Sequence, residues 1–176
     1  MNSERLETGK GKIRSLNRRG TRSDKSPPVV RHSRRYKDPS ICERCGSIYT
    51  AKTWRSGRSL TPEMIEQAVW TICPACEQLD EGQYFGRVSL SGAYLVANLD
   101  AIRARIANVE RRARFTQPER RLVATDFDGK SLEVLTSSQK LAHRIAREIE
   151  KAFGGTVRYA WSDSDGMLTA TWSREK

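Results

Sequence analysis

Two Cys-x-x-Cys pairs, Cys42/Cys45 and Cys73/Cys76, constrain this chain more than any other feature. Thiolates at i and i+3 reach one ion when the backbone curls into a knuckle, and two knuckles fill the tetrahedron that zinc prefers. Gly46, directly after Cys45, permits the tight turn in which backbone amides donate to sulfur. Pro74 restricts the second loop before any ion binds. The 27 residues between Cys45 and Cys73 suit a zinc-ribbon or treble-clef arrangement. The expected cofactor is therefore a Zn2+ ion held by Cys42, Cys45, Cys73 and Cys76. Four protein thiolates leave no position for water or substrate, so such a site stabilises a fold rather than catalysing. With the ion they carry a charge of about −2, which Arg44 and nearby amides would partly balance. An iron–sulfur cluster also takes four cysteines, and redox exchange is a third use of a Cys-x-x-Cys pair. Both alternatives stay open at this level.

The charge is unevenly placed. The 176 residues carry 32 Lys and Arg against 21 Asp and Glu, a net +11. Residues 1–40 hold 12 basic and 4 acidic side chains, whereas residues 41–176 hold 20 and 17. A cationic arm of this kind binds phosphate by counterion release and weakens steeply with salt. Residues 1–37 read as a disordered basic arm, with Pro27-Pro28 as an extended break. Within it Arg18, Arg19, Arg34, Arg35 and Lys37 are the candidate nucleic-acid contacts, Tyr36 standing among the last of them. Tyr36 could stack on an unpaired base or begin the fold. A solvated tail without a partner is the plainer reading of the arm. No stretch approaches the ~20 apolar residues that span a bilayer, and the polar start lacks the apolar core of a secretory signal. Glu4, Glu7 and Asp24 speak against an organellar transit peptide. The expected location is cytoplasmic, with no membrane partner, where paired cysteines are metal ligands more often than disulfides.

Residues 38–92 are expected to form the zinc-binding domain. Ile48, Tyr49 and the run to Trp54 predict a hairpin turning at Arg55-Ser56-Gly57-Arg58, which places Lys52, Arg55 and Arg58 as candidate phosphate contacts at its tip. Isolated surface charge is the competing reading of those three. Thr61 as N-cap, Pro62 and Glu63 predict a short helix to about Val69. Val88 and Leu90 predict one more strand inside this domain. Trp54 and Trp70 could offer stacking faces, but filling a small core is the stronger reading.

Residues 93–117 are expected to be a connecting helix whose Leu99, Ile102, Ile106, Val109 and Ala113 form one apolar stripe, ended by Pro118. Residues 118–176 read as ββαββ. Strands Arg121–Phe127 and Leu132–Thr136 join at Asp128-Gly129. A helix capped by Ser137 or Ser138 buries Leu141, Ile145, Ile149 and Phe153 and stops at Gly154-Gly155. Val157/Tyr159/Trp161 and Leu168/Ala170/Trp172 then alternate. The expected class is α+β, a four-cysteine zinc-ribbon or treble-clef-like module followed by a helix and a small antiparallel-sheet domain.

Nothing points to catalysis. The chain has only His32 and His143, and neither sits with a nucleophile or carboxylate at a recognisable spacing. Phosphate-binding glycine loops and the His-Glu-x-x-His motif are absent. Asp163, Asp165 and Gly166 echo part of a calcium loop, but its bidentate glutamate is missing, and a solvated turn explains them better. No small-molecule substrate is implied.

Cys42-Glu43-Arg44-Cys45-Gly46, then Trp54, then Trp70 through Cys76, resembles the N-terminal zinc region of nonsense-mediated mRNA decay protein three-like proteins. The run from Ser137 to Arg147, with Phe153 through Val157, is similar to another part of that family, and the layout resembles a short bacterial group within it. The resemblance implies metal ligation by the four cysteines and contact with RNA or a ribosomal subunit. This chain carries one four-cysteine set where longer relatives carry more, and it lacks their export tail. Charge, cysteines and resemblance together predict a zinc-stabilised, non-enzymatic RNA-binding or ribosome-associated protein. The alternative is a protein-interaction adaptor or DNA-binding transcriptional regulator using the zinc ribbon.

Overall fold

The structure, a computed structural model, describes residues 35–57, 59–162 and 166–176. Among these the chain is mixed α/β, with two sheets and five helices. Most of the basic arm lies outside the described residues, as do Arg58 and residues 163–165 of the last turn.

The cysteine-bearing region forms a four-stranded sheet in the order β3-β2-β1-β4. Its strands are β1 (Ser40–Cys42), β2 (Ile48–Thr50), β3 (Thr53–Arg55) and β4 (Val69–Thr71). Strand β1 runs antiparallel to β2 and parallel to β4. Helix α1 (Pro62–Gln67) starts as expected: Thr61 Oγ1 accepts the Met64 N–H at 3.3 Å and Pro62 occupies the first turn. It ends before the expected Val69, because Val69, Trp70 and Thr71 pair with β1 as a strand. Helix α2 (Pro74–Asp80) grows out of the second cysteine pair.

The β2–β3 hairpin turns at Ala51-Lys52, not at Arg55–Arg58. Both residues have positive φ, 49° and 61°, as a two-residue type I′ turn requires. Neither residue type advertises such a turn, whereas Ser56-Gly57 does, so the sequence placed the tip too late. Asp38 Oδ2 accepts the Ala51 N–H at 2.8 Å and ties the segment before β1 to the turn. Because the left-handed region costs a non-glycine residue about 1 kcal/mol, Ala51→Gly should raise stability by roughly that amount. Urea unfolding of the two proteins checks this, and a lowered midpoint would contradict the turn geometry.

The second sheet has five strands in the order β6-β7-β5-β9-β8. They are β5 (Gly86–Ser91), β6 (Leu122–Phe127), β7 (Ser131–Thr136), β8 (Thr156–Ser162) and β9 (Met167–Ser173). Helices α3 (Ala93–Ala97), α4 (Leu99–Thr116) and α5 (Gln139–Phe153) accompany them. The expected ββαββ unit is present as β6-β7-α5-β8-β9. Its centre, however, is β5, which the reading of residues 38–92 had assigned to the metal region. Strand β5 is antiparallel to β7 and parallel to β9, so the sheet is mixed rather than purely antiparallel. The reason is packing: Val88 and Leu90 have a large apolar face to join here, beside Leu132 and Val134 on one side and Ala170 and Trp172 on the other.

Helix α4 is more than a connector. Ile102, Ile106, Val109 and Ala113 are buried in the same core as Leu141, Ile145 and Ile149 of α5. Each isoleucine, leucine or valine among them contributes about 1.5–3 kcal/mol on burial, enough to hold both helices on one face of the sheet. Arg105 Nη2 donates to Glu148 Oε2 at 2.8 Å and Arg112 Nη2 lies 3.6 Å from the same oxygen, lacing α4 to α5. Ser138 caps α5 by accepting the Leu141 N–H, and Gly154 with φ 66° follows its end. No described helix is long and apolar enough to cross a membrane.

Candidate metal centre

Each cysteine pair begins at an element boundary. Cys42 ends β1, and the chain reverses at once: Gly46 N–H donates to Cys42 O at 2.9 Å and Cys42 N–H to Ser47 O at 2.8 Å. Gly46 holds φ at 67°, which an L side chain rarely adopts. Cys73 is the N-cap of α2, with Pro74 in its first turn, and Cys73 O accepts from Cys76 N–H and Glu77 N–H. The parallel pairing of β1 with β4 brings the two loops side by side.

The four sulfurs lie within 4.8 Å of one another, and three of the four cysteines are buried. Cys42 Sγ is 3.8 Å from Cys76 Sγ, and Cys45 Sγ is 3.7 Å from Cys73 Sγ. These are not disulfides; all four residues are free thiols. A tetrahedron with metal–sulfur bonds of about 2.3 Å has edges of about 3.8 Å, so the spacing suits one ion. A cluster of several irons and sulfides would spread its thiolates more widely. The donor set can therefore hold a single thiophilic metal ion.

The electrostatics agree with that use. Burial pushes the Cys45 thiol up, but hydrogen bonding to Ser47 and Arg121 outweighs it and brings its pKa down to about 6. Burial pushes Cys76 up to about 11 and raises Cys73 further, with the neighbouring thiolates adding to both. Cys73 and Cys76 would give up their protons readily only to a bound cation. The Cys73 N–H points to Cys42 Sγ at 3.4 Å, an amide-to-sulfur bond made from the second loop and not from the turn at Gly46, whose N–H donates to Cys42 O.

Arg44 does not balance the sulfurs as expected; it pairs with Asp80 at the surface. Arg121 takes that place. It is 5% exposed, donates Nε–H to Pro118 O at 2.7 Å, and aims Nη1 at Cys76 Sγ at 3.8 Å. Burial opposes its charge, yet hydrogen bonding to Cys45 and the fields of Cys45, Cys76 and Cys73 raise its pKa overall. Sequence reasoning missed it because Arg121 lies far from both pairs and reads as one charge beside Arg120. Gln78 Nε2, on α2, also donates to Ser137 O just after β7 at 2.9 Å, so polar contacts join the metal region to the larger sheet's end.

Of the candidate nucleic-acid contacts, Arg18, Arg19, Arg34 and Arg58 lie outside the described residues, as does His32. Arg35, Lys37, Lys52 and Arg55 are all exposed. Arg35, Lys37 and Lys52 neighbour in the chain the members of one aromatic trio, whereas Arg55, next to Trp54 on β3, points to the strand's other face. Tyr36 packs on Tyr49 and Trp54 at ring separations of 5.3 and 5.0 Å, and Tyr49 lies 5.4 Å from Trp54. Tyr36 thus begins the fold, and Trp54 also packs against the cysteine cluster. Trp70 does not fill a core: it is 51% exposed and lines a cavity of about 470 Å³ with Glu43, Glu77, Asp80 and Glu81. His143 is exposed on α5 and stacks on Tyr159.

Comparison of the chain with protein-family models, with curated proteins and with solved structures finds no match. The likeness to nonsense-mediated mRNA decay protein three-like proteins accordingly rests on the cysteine pairs and the α5–Gly-Gly–β8 segment alone.

Proposed function

We propose that this protein is a zinc-stabilised, non-enzymatic RNA-binding protein with a ribbon or treble-clef-like metal module, and that its RNA is ribosomal. The observation that supports this reading best is the cationic rim on the metal region. Arg35 and Lys37 flank Tyr36 in the chain, Lys52 lies in the turn between Tyr49 and Trp54, and the Asp38–Ala51 hydrogen bond holds the backbone of Lys37 near that of Lys52. The zinc ion, closed off by Cys42, Cys45, Cys73 and Cys76, has a structural role: it makes rigid a region whose core, beyond its own ligands, is chiefly Ile41, Ile48 and Ala75 with Trp54 packed on it. Phosphates then meet a fixed array of cations, and the basic arm adds sequence-independent attraction.

Fluorescence anisotropy with a labelled single-stranded RNA, titrated against salt, tests the reading. Replacing both Lys37 and Lys52 with alanine should weaken binding and reduce the slope of log affinity on log salt by about 1.4, since each phosphate contact to a single strand contributes about 0.7. An unchanged slope would remove the rim from the interface. Co-sedimentation with ribosomal subunits at low salt tests the ribosomal part.

A second reading, a protein-interaction adaptor, has one observation in its favour. The exposed indole of Trp70 among Glu43, Glu77, Asp80 and Glu81 is hostile to phosphate and suits a cationic protein segment. Duplex DNA outcompeting RNA in the same assay would favour a transcriptional regulator instead.

A further inference from the structure

The free edge of the larger sheet carries a second aromatic surface, far in sequence from the metal region. Strand β8 is the last of the five strands, and its Val157, Tyr159 and Trp161 lie opposite Trp172, Ala170 and Leu168 of β9, on the helix-covered face. Burial fades along this row. Val157 and Tyr159 are half-buried, while Trp161 is 57% exposed. The rings form a ladder: His143 of α5 lies 5.0 Å from Tyr159, and Tyr159 lies 5.7 Å from Trp161, each pair tilted by only 31°. A row of packed rings whose last member is open to solvent presents a face on which a further flat ring can stack.

Among the described residues, the charges that α5 sets beside the ladder are mostly positive. Lys140, His143 and Arg147 recur at intervals of three and four residues, so they share one stripe of α5, and all three are exposed. His143 stacks on Tyr159, and Arg147 and Glu150 both act electrostatically on the Tyr159 hydroxyl, which places the stripe along the ladder. Of the two α5 carboxylates, Glu148 is held on the other side by Arg105 and Arg112. Glu150 alone faces the ladder from α5.

We propose that the β8 edge is a base-stacking platform for single-stranded RNA: an unpaired base stacks on Trp161, and its flanking phosphates meet Lys140 and Arg147. The proposal rests on the RNA-binding reading above and adds a second contact region to it. Stacking supplies the selectivity for unpaired strands that phosphate contacts lack, because a paired base hides its faces.

The test uses the full chain and a fluorescein-labelled octauridylate, with anisotropy read at two salt concentrations. Trp161→Leu keeps apolar cover over the seam but has no ring, whereas Trp161→Phe keeps one. The expected result is a loss of affinity of about tenfold for Trp161→Leu, little for Trp161→Phe, and an unchanged salt slope in both. Replacing both Lys140 and Arg147 with alanine should weaken binding and flatten the slope. Unfolding midpoints of the variants confirm that the sheet persists. If the wild-type chain binds the oligonucleotide and Trp161→Leu binds it equally well, the platform is wrong and the RNA reading stands. If the wild-type chain binds neither this probe nor longer RNA, both fall together.

Discussion

Serine in place of Cys76 is expected to unfold the metal region and to weaken the larger sheet as well. The first effect follows from what the region contains. Its cysteine cluster is Cys42, Cys73, Ala75 and Cys76, with Cys45, Trp54 and Ile72 packed around it, and beyond these, among the described residues, it buries only the large side chains Ile41 and Ile48. Apparent binding free energies of structural zinc run to about 10–16 kcal/mol, far more than such a cluster supplies without the ion. The second effect follows from Arg121. Buried beside Cys76 and Cys45, it would be left as a cation without its anions when the site is lost. Breaking a buried charge pair costs about 3–5 kcal/mol, and the cost falls on the strand that begins at Leu122. Were residues 118–176 an independent domain, their sheet would instead stay cooperative. Limited proteolysis combined with thermal unfolding separates the outcomes: the metal region should be cleaved quickly, and the remaining sheet should melt lower. Arg121→Met in the same background should restore part of that loss. A melting temperature for the sheet unaffected by Cys76→Ser would show that Arg121 does not couple the two.

The second large effect is expected at Gly92. It follows β5 with φ 107°, and a Cβ built there would lie 2.1 Å from the carbonyl oxygen of Arg174. That oxygen is backbone, held by the Tyr94 N–H at 3.3 Å, while Arg174 N–H donates to Ser91 O at 3.2 Å. Nothing flexible can move aside, so the parallel pairing of β5 and β9 must open at this end. Gly92→Ala should cost on the order of 4 kcal/mol, at the upper end of single-residue effects. Gly129→Ala is the control. Gly129 also has positive φ, 93°, but nothing lies within 4 Å of its added Cβ, so only the backbone strain of about 1–2 kcal/mol applies. Urea unfolding of both variants isolates the steric part. Equal losses would mean that the close approach to Arg174 has no energetic weight.

What the sequence disclosed was local. The stripe of Ile102, Ile106, Val109 and Ala113, the caps at Thr61 and Ser138 and the Asp128-Gly129 turn each depend on residues a few positions apart, and each has its place in the structure. The cysteine pairs were legible for the same reason, since each knuckle is a four-residue device. What stayed hidden was long-range. Val88 and Leu90 announce a strand without naming its sheet, and their true neighbours, Val134 and Ala170, are far along the chain. Arg121 is one of many arginines until the fold sets it against Cys76. Ala51-Lys52 makes a turn that its residue types disfavour, so propensity pointed to Ser56-Gly57. Trp70 was read as core, but its place on an edge strand leaves the indole half in solvent.

The central claim, one ion held by four thiolates, is tested most directly by metal content and thiol reactivity measured together on the reduced, purified protein. One zinc per chain is expected, with all four cysteines shielded from alkylation until a chelator removes the ion. A chain free of metal whose four thiols alkylate at once, while its fold persists, would contradict the account.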